Sequence, residues 1–167
     1  MKNKIFKWIA LSAIVALTIA CNPKKEDTTT ESASVDKEQI KGEIQALENS
    51  FADALNTGKT ENVNYYAEDA VSYEQNKPPM IGKAAIDAKI AEDVKKNDGT
   101  KVTFITNEVF PSGDGNIVVE IGSYKVSDSS NDAKYSGNFI AYFEKRDGKY
   151  VCVRDMGASD QPTEEKK

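Results

Sequence analysis

Carboxylates beside two predicted strand ends are the residues of this chain best suited to acid–base chemistry. Glu74 closes the short run AVSYE, just before a Pro-Pro turn, and Asp155 lies in VRDM near the C-terminus. The sequence contains no histidine, which excludes Ser-His-Asp and Cys-His catalysis and histidine-ligated zinc. Proton transfer would therefore fall to Asp, Glu, Tyr or Lys. Glu74 is a candidate catalytic base or ligand contact, and its simpler interpretation is a solvated strand end.

Several tyrosines and polar residues are candidates for ligand contacts. A phenol near a cavity orients polar ligands, although Tyr66 and Tyr73 would also suit a core or a pocket rim. Strand alternation puts Asn138 and Tyr142 on one face, which would line a cavity, face solvent or contact a second subunit. Met80 in PPMIG is a candidate ligand gate or a core residue. We predict neither a metal nor a cofactor.

The first element that positions these residues is a helix. Asp36 and Gln39 have capping-box spacing, and apolar residues at helical spacing follow until Gly58, a typical helix end. These apolar residues are Ile40, Ile44, Leu47, Phe51 and Leu55. The pattern predicts a long helix with one buried face.

Two further helices and a run of strands complete the predicted order. A second short helix is predicted over residues 60–67, and a third begins after Gly82, where isoleucines and a valine recur every four positions. The strand-like AVSYE lies between them, and four alternating segments between residues 101 and 157 predict a strand meander. This order predicts an α+β fold in which three helices pack on one face of a curved antiparallel sheet. Such a cone-shaped fold is open at one end, and pockets form in concavities of that kind.

The N-terminal residues predict an export signal and a lipid anchor. Residues 1–20 combine three lysines with a mostly apolar stretch, WIALSAIVALTIA, that is short for a membrane span. LTIAC resembles a bacterial lipobox, with Leu17 one position further from Cys21 than is usual. The resemblance implies a lipoprotein anchored through Cys21, and Asn22 favours the outer membrane, on its periplasmic face or at the cell surface. The alternative is an ordinary cleaved signal.

Composition sets the rest of the predicted organisation. Residues 21–35 form a flexible tether, because they bury too little apolar surface to fold; residues 36–157 form the domain and residues 158–167 a disordered tail. Three of the 22 basic residues precede Cys21, which leaves 19 against 27 acidic ones and a net charge near −8. Such a chain repels phosphate backbones, so nucleic-acid binding is excluded. We predict that Cys152 is a small buried side chain rather than a nucleophile.

Four motifs, in this order, resemble the nuclear transport factor 2-like superfamily, closest to its SnoaL-like and ketosteroid-isomerase-like branch. They are FADALNTGKTENV, YYAEDAVSYE, IGKAAI and FEKRDGKYVCVRDM. The resemblance covers residues 36–157 and implies a conical fold with a pocket, but fold does not fix function. Relatives with this fold often form homodimers, which makes a second copy of the chain an expected partner.

The same resemblance argues against steroid isomerisation. Ketosteroid isomerases combine a carboxylate base with a tyrosine and a protonated acid that donate to the enolate oxygen. Glu74 falls at the base position, but Phe51 falls at the tyrosine position and Ala141 or Ile140 at the second donor. These three side chains cannot donate a hydrogen bond, so the developing charge would be unstabilised. The family often has an acid at the position of Asp155, which would enter the cavity or cap a turn.

We therefore predict a membrane-anchored bacterial lipoprotein whose domain binds a small apolar or mixed-polarity molecule in a conical pocket. The sequence favours a binding role over an enzymatic one. One alternative is a carboxylate-based isomerase or hydrolase that uses Glu74, aided by Asp155. The other is a dimeric interaction module with no ligand. An enzyme would need Glu74 desolvated beside a donor, whereas an interaction module would have a filled cavity and an exposed apolar sheet face.

Overall fold

Two helices and six strands make up the described part of the chain, which is residues 35–60 and 64–162 of a computed structural model. The predicted signal, the lipidation site Cys21, the tether up to residue 34 and residues 163–167 of the predicted tail lie outside the described residues. No helix within the described ranges is long and apolar enough to cross a membrane.

The first helix, α1 (Lys37–Thr57), begins and ends where the sequence predicts. The Asp36 side chain accepts hydrogen bonds from the backbone N–H groups of Glu38 and Gln39, both at 3.0 Å, which satisfies two donors of the first turn. Gly58 ends the helix at φ 71°, a left-handed conformation that glycine adopts without steric cost. The buried face of the helix consists of Ile40, Ile44, Glu48, Phe51, Ala52 and Ala54.

Six strands form one sheet in the order β2-β1-β6-β5-β4-β3. Their bounds are β1 (Tyr66–Glu74), β2 (Met80–Ile81), β3 (Lys101–Pro111), β4 (Ile117–Ser127), β5 (Ala133–Arg146) and β6 (Lys149–Ser159). The second helix, α2 (Lys83–Lys96), follows Gly82 as predicted. The meander of β3 to β6 is antiparallel throughout, also as predicted.

The sheet as a whole is mixed, so the prediction of a purely antiparallel sheet is wrong. Strand β1 lies parallel to β6, with Ser72 opposite Asp155 and Glu74 opposite Gly157. The meander moves across the sheet and returns its last strand to β1, and local sequence does not specify the direction of so distant a pair. Irregular pairing between Thr106 and Glu108 is one of the interruptions that help a sheet bend.

The predicted second helix is also wrong, because the described residues contain two helices rather than three. Tyr66 and Ala67, at its predicted C-terminal end, begin β1 instead. Tyr66 pairs with Cys152 of β6, and the backbone N–H of Cys152 donates to the carbonyl of Tyr65 at 2.7 Å. Aromatic residues favour half-buried strands, and burial of both tyrosines outweighs the helix-like spacing of the neighbouring residues.

Alternation gives the sheet two distinct faces. The inner face, which carries Phe139, Ala141 and Asp155, faces the helices, and α1 packs mainly on β3. The outer face carries Ile140 and Met156, which are opposite each other in register and exposed. Both helices therefore lie on the same side as the core, and the inner face positions the candidate site.

Candidate ligand-binding site

A cavity of about 850 Å³ lies between α1, α2 and the inner face of the sheet. Its mouth is formed by exposed residues that include Asn76, Lys77 and Gln161. Its inner end reaches buried polar side chains, which are Glu48, Tyr65, Tyr66, Ser72 and the mostly enclosed Asp155. The cavity therefore runs from solvent to a buried polar end.

Eight apolar side chains contribute to the cavity wall. They are Phe51, Leu55, Ile90, Val94, Val102, Phe104, Val126 and Phe139. The Phe51 ring stacks on Tyr65 with centroids 4.3 Å apart and on Phe104 at 5.8 Å, and the Phe104 ring meets Phe139 edge-on at 5.7 Å. These contacts hold the rings in fixed orientations, so the wall is pre-formed.

Two glycines keep space on the inner face. A Cβ at Gly122 would overlap the ring of Phe139, so only glycine lets that ring lie over β4. At Gly157, which lines the cavity in β6, a Cβ would meet no heavy atom within 4 Å. Gly122 is thus required by the wall, whereas Gly157 borders open space.

Asp155 and Tyr66 form the first polar pair of the inner end. The Tyr66 hydroxyl donates to Oδ2 of Asp155 at 2.8 Å. Ser72 is opposite Asp155 in register, but its hydroxyl makes no hydrogen bond of normal geometry with Oδ1, and that buried oxygen has no donor within the described residues. Burial raises the pKa of the Asp155 carboxyl, and the nearby Ser72 and Tyr66 hydroxyls oppose the shift.

Glu48, Tyr65 and Glu120 form the second polar group. The Tyr65 hydroxyl donates to Oε1 of Glu48 at 2.5 Å, and both oxygens of Glu120 lack a donor when the two acids are ionised. Burial, and then the charge of Glu120, raises the pKa of Glu48 to about 9. A protonated Glu48 can donate to Glu120, so the two acids share a proton near neutral pH.

Ion pairs occupy the outer part of the cavity. Glu74 is half-buried and pairs with Lys77, and Lys89 pairs with Asp93. These are the lysines that line the cavity in the described part of the chain, and each already has a carboxylate partner. The carboxyl groups of Glu48 and Asp155 have no basic partner there, so the inner end is acidic.

The structure brings together some of the predicted site residues and not others. Glu74, Asp155 and Tyr66 line the cavity. Tyr73 touches the cavity rim, but its register with Met156 directs its side chain to the outer face, where 38% of the residue is exposed.

Met80, Asn138 and Tyr142 do not line the cavity. Met80 is half-buried in β2 and packs against the core. Asn138 and Tyr142 lie on the outer face because their neighbours in the alternating strand point inward. These three residues therefore lie apart from this cavity.

Sequence reasoning missed Glu48, Glu120 and Tyr65 as parts of the inner end. Glu48 lies four residues after Ile44 and therefore on the apolar stripe of α1, and Glu120 alternates with the buried Val118. A charged residue within an apolar pattern was the available signal. Cys152 is fully buried, as predicted.

Comparison with known proteins identifies the fold. The chain matches no protein-family model and no curated protein. It is similar to a domain of unknown function with a cystatin-like fold from Nostoc punctiforme, with a TM-score of 0.65, 14% identity, and coverage of 77% of this chain and 82% of that one. A nuclear transport factor 2-like protein from Novosphingobium aromaticivorans gives a TM-score of 0.62 and 16% identity over 76% and 86% of the two chains.

A third similar structure is a putative calcium/calmodulin dependent protein kinase II association domain from Xanthomonas campestris. It gives a TM-score of 0.56 and 20% identity over 72% of this chain and 88% of that chain. These likenesses define a cystatin-like, nuclear transport factor 2-like α+β fold, which confirms the prediction at the level of the fold.

Proposed function

We propose that this domain binds a small molecule of mixed polarity in its conical cavity. The observation that carries the proposal is the unfilled space of about 850 Å³ between the helices and the sheet, which lies within the range of about 300–1,000 Å³ typical of small-molecule sites. Aromatic and aliphatic side chains would cover the apolar part of the ligand. The Asp155 and Glu48 groups at the inner end would orient its polar part.

Extraction of the purified domain tests this proposal. The natively folded protein would be desalted, denatured in organic solvent and analysed by mass spectrometry, beside a sample unfolded and refolded before desalting. A small molecule retained in stoichiometric amount by the native sample and lost from the refolded one supports binding. Absence of any retained molecule, together with no saturable binding of a neutral apolar dye, would contradict it.

A carboxylate-based isomerase or hydrolase is the second candidate. Buried acids with shifted pKa values cluster at functional sites, and Asp155 beside the Tyr66 hydroxyl is such an acid. Glu74 is ion-paired at the outer part of the cavity, an environment less suited to a general base. If the enzyme candidate is right, Asp155→Asn should abolish turnover in a substrate screen, whereas Glu74→Gln should reduce it less.

We also propose that a lipid anchor holds the domain in the cell envelope. The support comes from the lipobox-like LTIAC and the polar stretch that follows Cys21. Several acyl chains on one cysteine would hold the domain at a membrane durably, because one chain alone binds only marginally.

Self-association through the outer sheet face is a further proposal. Tyr73, Met156 and Ile140 lie in one row across three strands and are 38%, 58% and 51% exposed. Exposed apolar rows of this kind mark interaction surfaces, and a two-fold dimer would place the same row of both copies in contact. The Xanthomonas campestris structure, which is described as a putative kinase association domain, has the same fold.

A further inference from the structure

At the inner end of the cavity one buried acceptor, Oδ1 of Asp155, has no partner among the described residues, and the Ser72 hydroxyl lies beside the same carboxyl. The hydroxyl protons of Tyr66 and Tyr65 are already donated, to Asp155 at 2.8 Å and to Glu48 at 2.5 Å. Burial raises the pKa of both phenols, so both keep their protons. Oδ1 of Asp155 is buried and lacks a donor among the described residues. A ligand that pairs with this carboxyl group would supply an N–H or O–H group.

The charges that line the cavity favour a cationic donor. Four carboxyl groups line it: Glu74 and Asp93 are ion-paired, Glu48 shares a proton with Glu120 near neutral pH, and Asp155 has no basic partner among the described residues. The two lysines that line it within the described ranges are paired with Glu74 and Asp93. An anionic ligand would thus find no free cation there and would bring its charge close to Asp155, which costs free energy in a partly enclosed site.

Aromatic rings beside the acidic end suit the same ligand. Tyr66 meets Phe51 edge-on at 5.8 Å and Tyr65 at 4.8 Å, and the stacked Phe51 and Phe104 continue towards the mouth. The same rings provide an apolar surface for the uncharged part of the ligand.

Resting on the proposed binding function, we propose that the ligand class is a protonated amine on an apolar body, with its ammonium group paired with the Asp155 carboxylate. The ammonium group occupies the inner end, between Asp155 and the aromatic rings, and the apolar body lies along the wall towards the mouth. Because Asp155 must be ionised to pair with the ammonium group, binding of an amine releases a proton from this carboxyl when it is protonated in the free domain.

A matched series of probes tests the inference by isothermal titration calorimetry. Phenylbutylamine, phenylbutanol and phenylbutanoate share one apolar body and differ in the head group. We expect the amine to bind about ten-fold or more tightly than the alcohol, since hydrogen bonds to charged groups are the stronger ones, and the carboxylate to bind most weakly. In the wild type, the amine affinity should rise with pH as Asp155, whose pKa is raised by burial, ionises.

Asp155→Asn should remove the preference for the amine and leave alcohol binding within about two-fold, because the amide oxygen still accepts from Tyr66. Asp53→Asn, on the exposed side of α1, removes the same charge outside the cavity and should bind like the wild type. Tighter binding of phenylbutanoate, an amine affinity that falls as pH rises, or an unchanged preference in Asp155→Asn would overturn the inference while binding itself stands. If no probe and no neutral apolar dye binds, the binding function fails as well.

Discussion

Glu48 and Glu120 place two carboxyl groups together in the core, with no basic side chain facing them from the described elements packed around them. The groups that face Glu48 are Tyr65, Glu120 and Asp155. A shared proton is therefore the arrangement that lets the pair hydrogen-bond, and its loss leaves repulsion between buried charges. This predicts a characteristic dependence of stability on pH.

The free energy of unfolding should fall as pH rises from about 4.5 towards 9. The folded state holds a proton on Glu48 across this window, whereas the unfolded chain has released it above a pKa of about 4.3. The folded state thus binds more protons, so stability is greatest at the acid end and decreases by at most about 1.4 kcal/mol per pH unit for this group. Denaturant unfolding at several pH values measures the slope.

Glu48→Gln provides the matched variant for this prediction. The Gln amide can accept from Tyr65 and donate to Glu120 at every pH, as the protonated acid does, so the slope should be smaller than in the wild type. Glu43→Gln, on the exposed side of α1, should leave the slope unchanged. An equally steep decrease in Glu48→Gln would refute the shared proton.

At the scale of elements, the close packing of β4 against the Phe139 ring explains why a glycine stands at position 122. Gly122→Ala would force the ring away from β4, and overpacking of this kind typically costs about 1–3 kcal/mol. Because the displaced ring lines the cavity, dye affinity should fall too. Chemical denaturation of this variant measures the loss of stability.

Gly113→Ala is the control for the packing prediction. Its new Cβ would meet no heavy atom within 4 Å, so its unfolding free energy should stay within about 0.5 kcal/mol of the wild type. A Gly122→Ala domain as stable as this control would show that the ring moves without cost.

Local sequence signals predicted the ends of the two observed helices. The direction of the β1–β6 pairing depends instead on long-range contacts. Asp36, Gly58 and Gly82 mark the observed helix ends because caps and left-handed glycines act within one turn. The parallel pairing of β1 with β6 joins segments about eighty residues apart along the chain, and no local pattern encodes its direction.

Strand alternation predicts which residues of β5 share a face, and the apolar face is the one that contributes to the candidate site. The apolar face of β5, with Phe139 and Ala141, is the inner face, whereas Asn138 and Tyr142, which the sequence left open between a cavity, solvent and a second subunit, lie on the outer face. Glu48 lines the cavity, and its hydrogen-bond partner Tyr65 comes from a segment 17 residues further along the chain. Such a partner is set by tertiary packing, which a single segment does not contain.

At the scale of the whole molecule, the predicted lipid anchor can be tested separately from the domain. Fatty-acid labelling in a bacterial host should label the wild type, and Cys21→Ser should lose the label, because this cysteine is the predicted acylation site. Cys152→Ser is the control and should retain it. Persistent labelling of Cys21→Ser would refute lipidation at this residue.

The proposed homodimer depends on the apolar row of the outer face. Ile140→Glu would place a charge within that row, which an apolar contact between two copies would have to desolvate, so dimers should dissociate. Sedimentation velocity over a range of concentrations measures the change, and Ser129→Glu in the exposed turn before β5 is the charge-matched control. A wild type that stays monomeric at every concentration would contradict the proposal.

The most direct test of the account measures the affinity of the neutral dye Nile red when the cavity is filled from within. Gly157→Leu adds a side chain where the cavity is open, and Gly42→Leu adds the same side chain to the exposed side of α1, also with no heavy atom within 4 Å of the new Cβ. We predict that the wild type and Gly42→Leu bind the dye equally and that Gly157→Leu binds it about ten-fold or more weakly while remaining folded. Equal affinity in all three proteins, or no saturable binding by the wild type, would contradict a ligand site between the helices and the sheet.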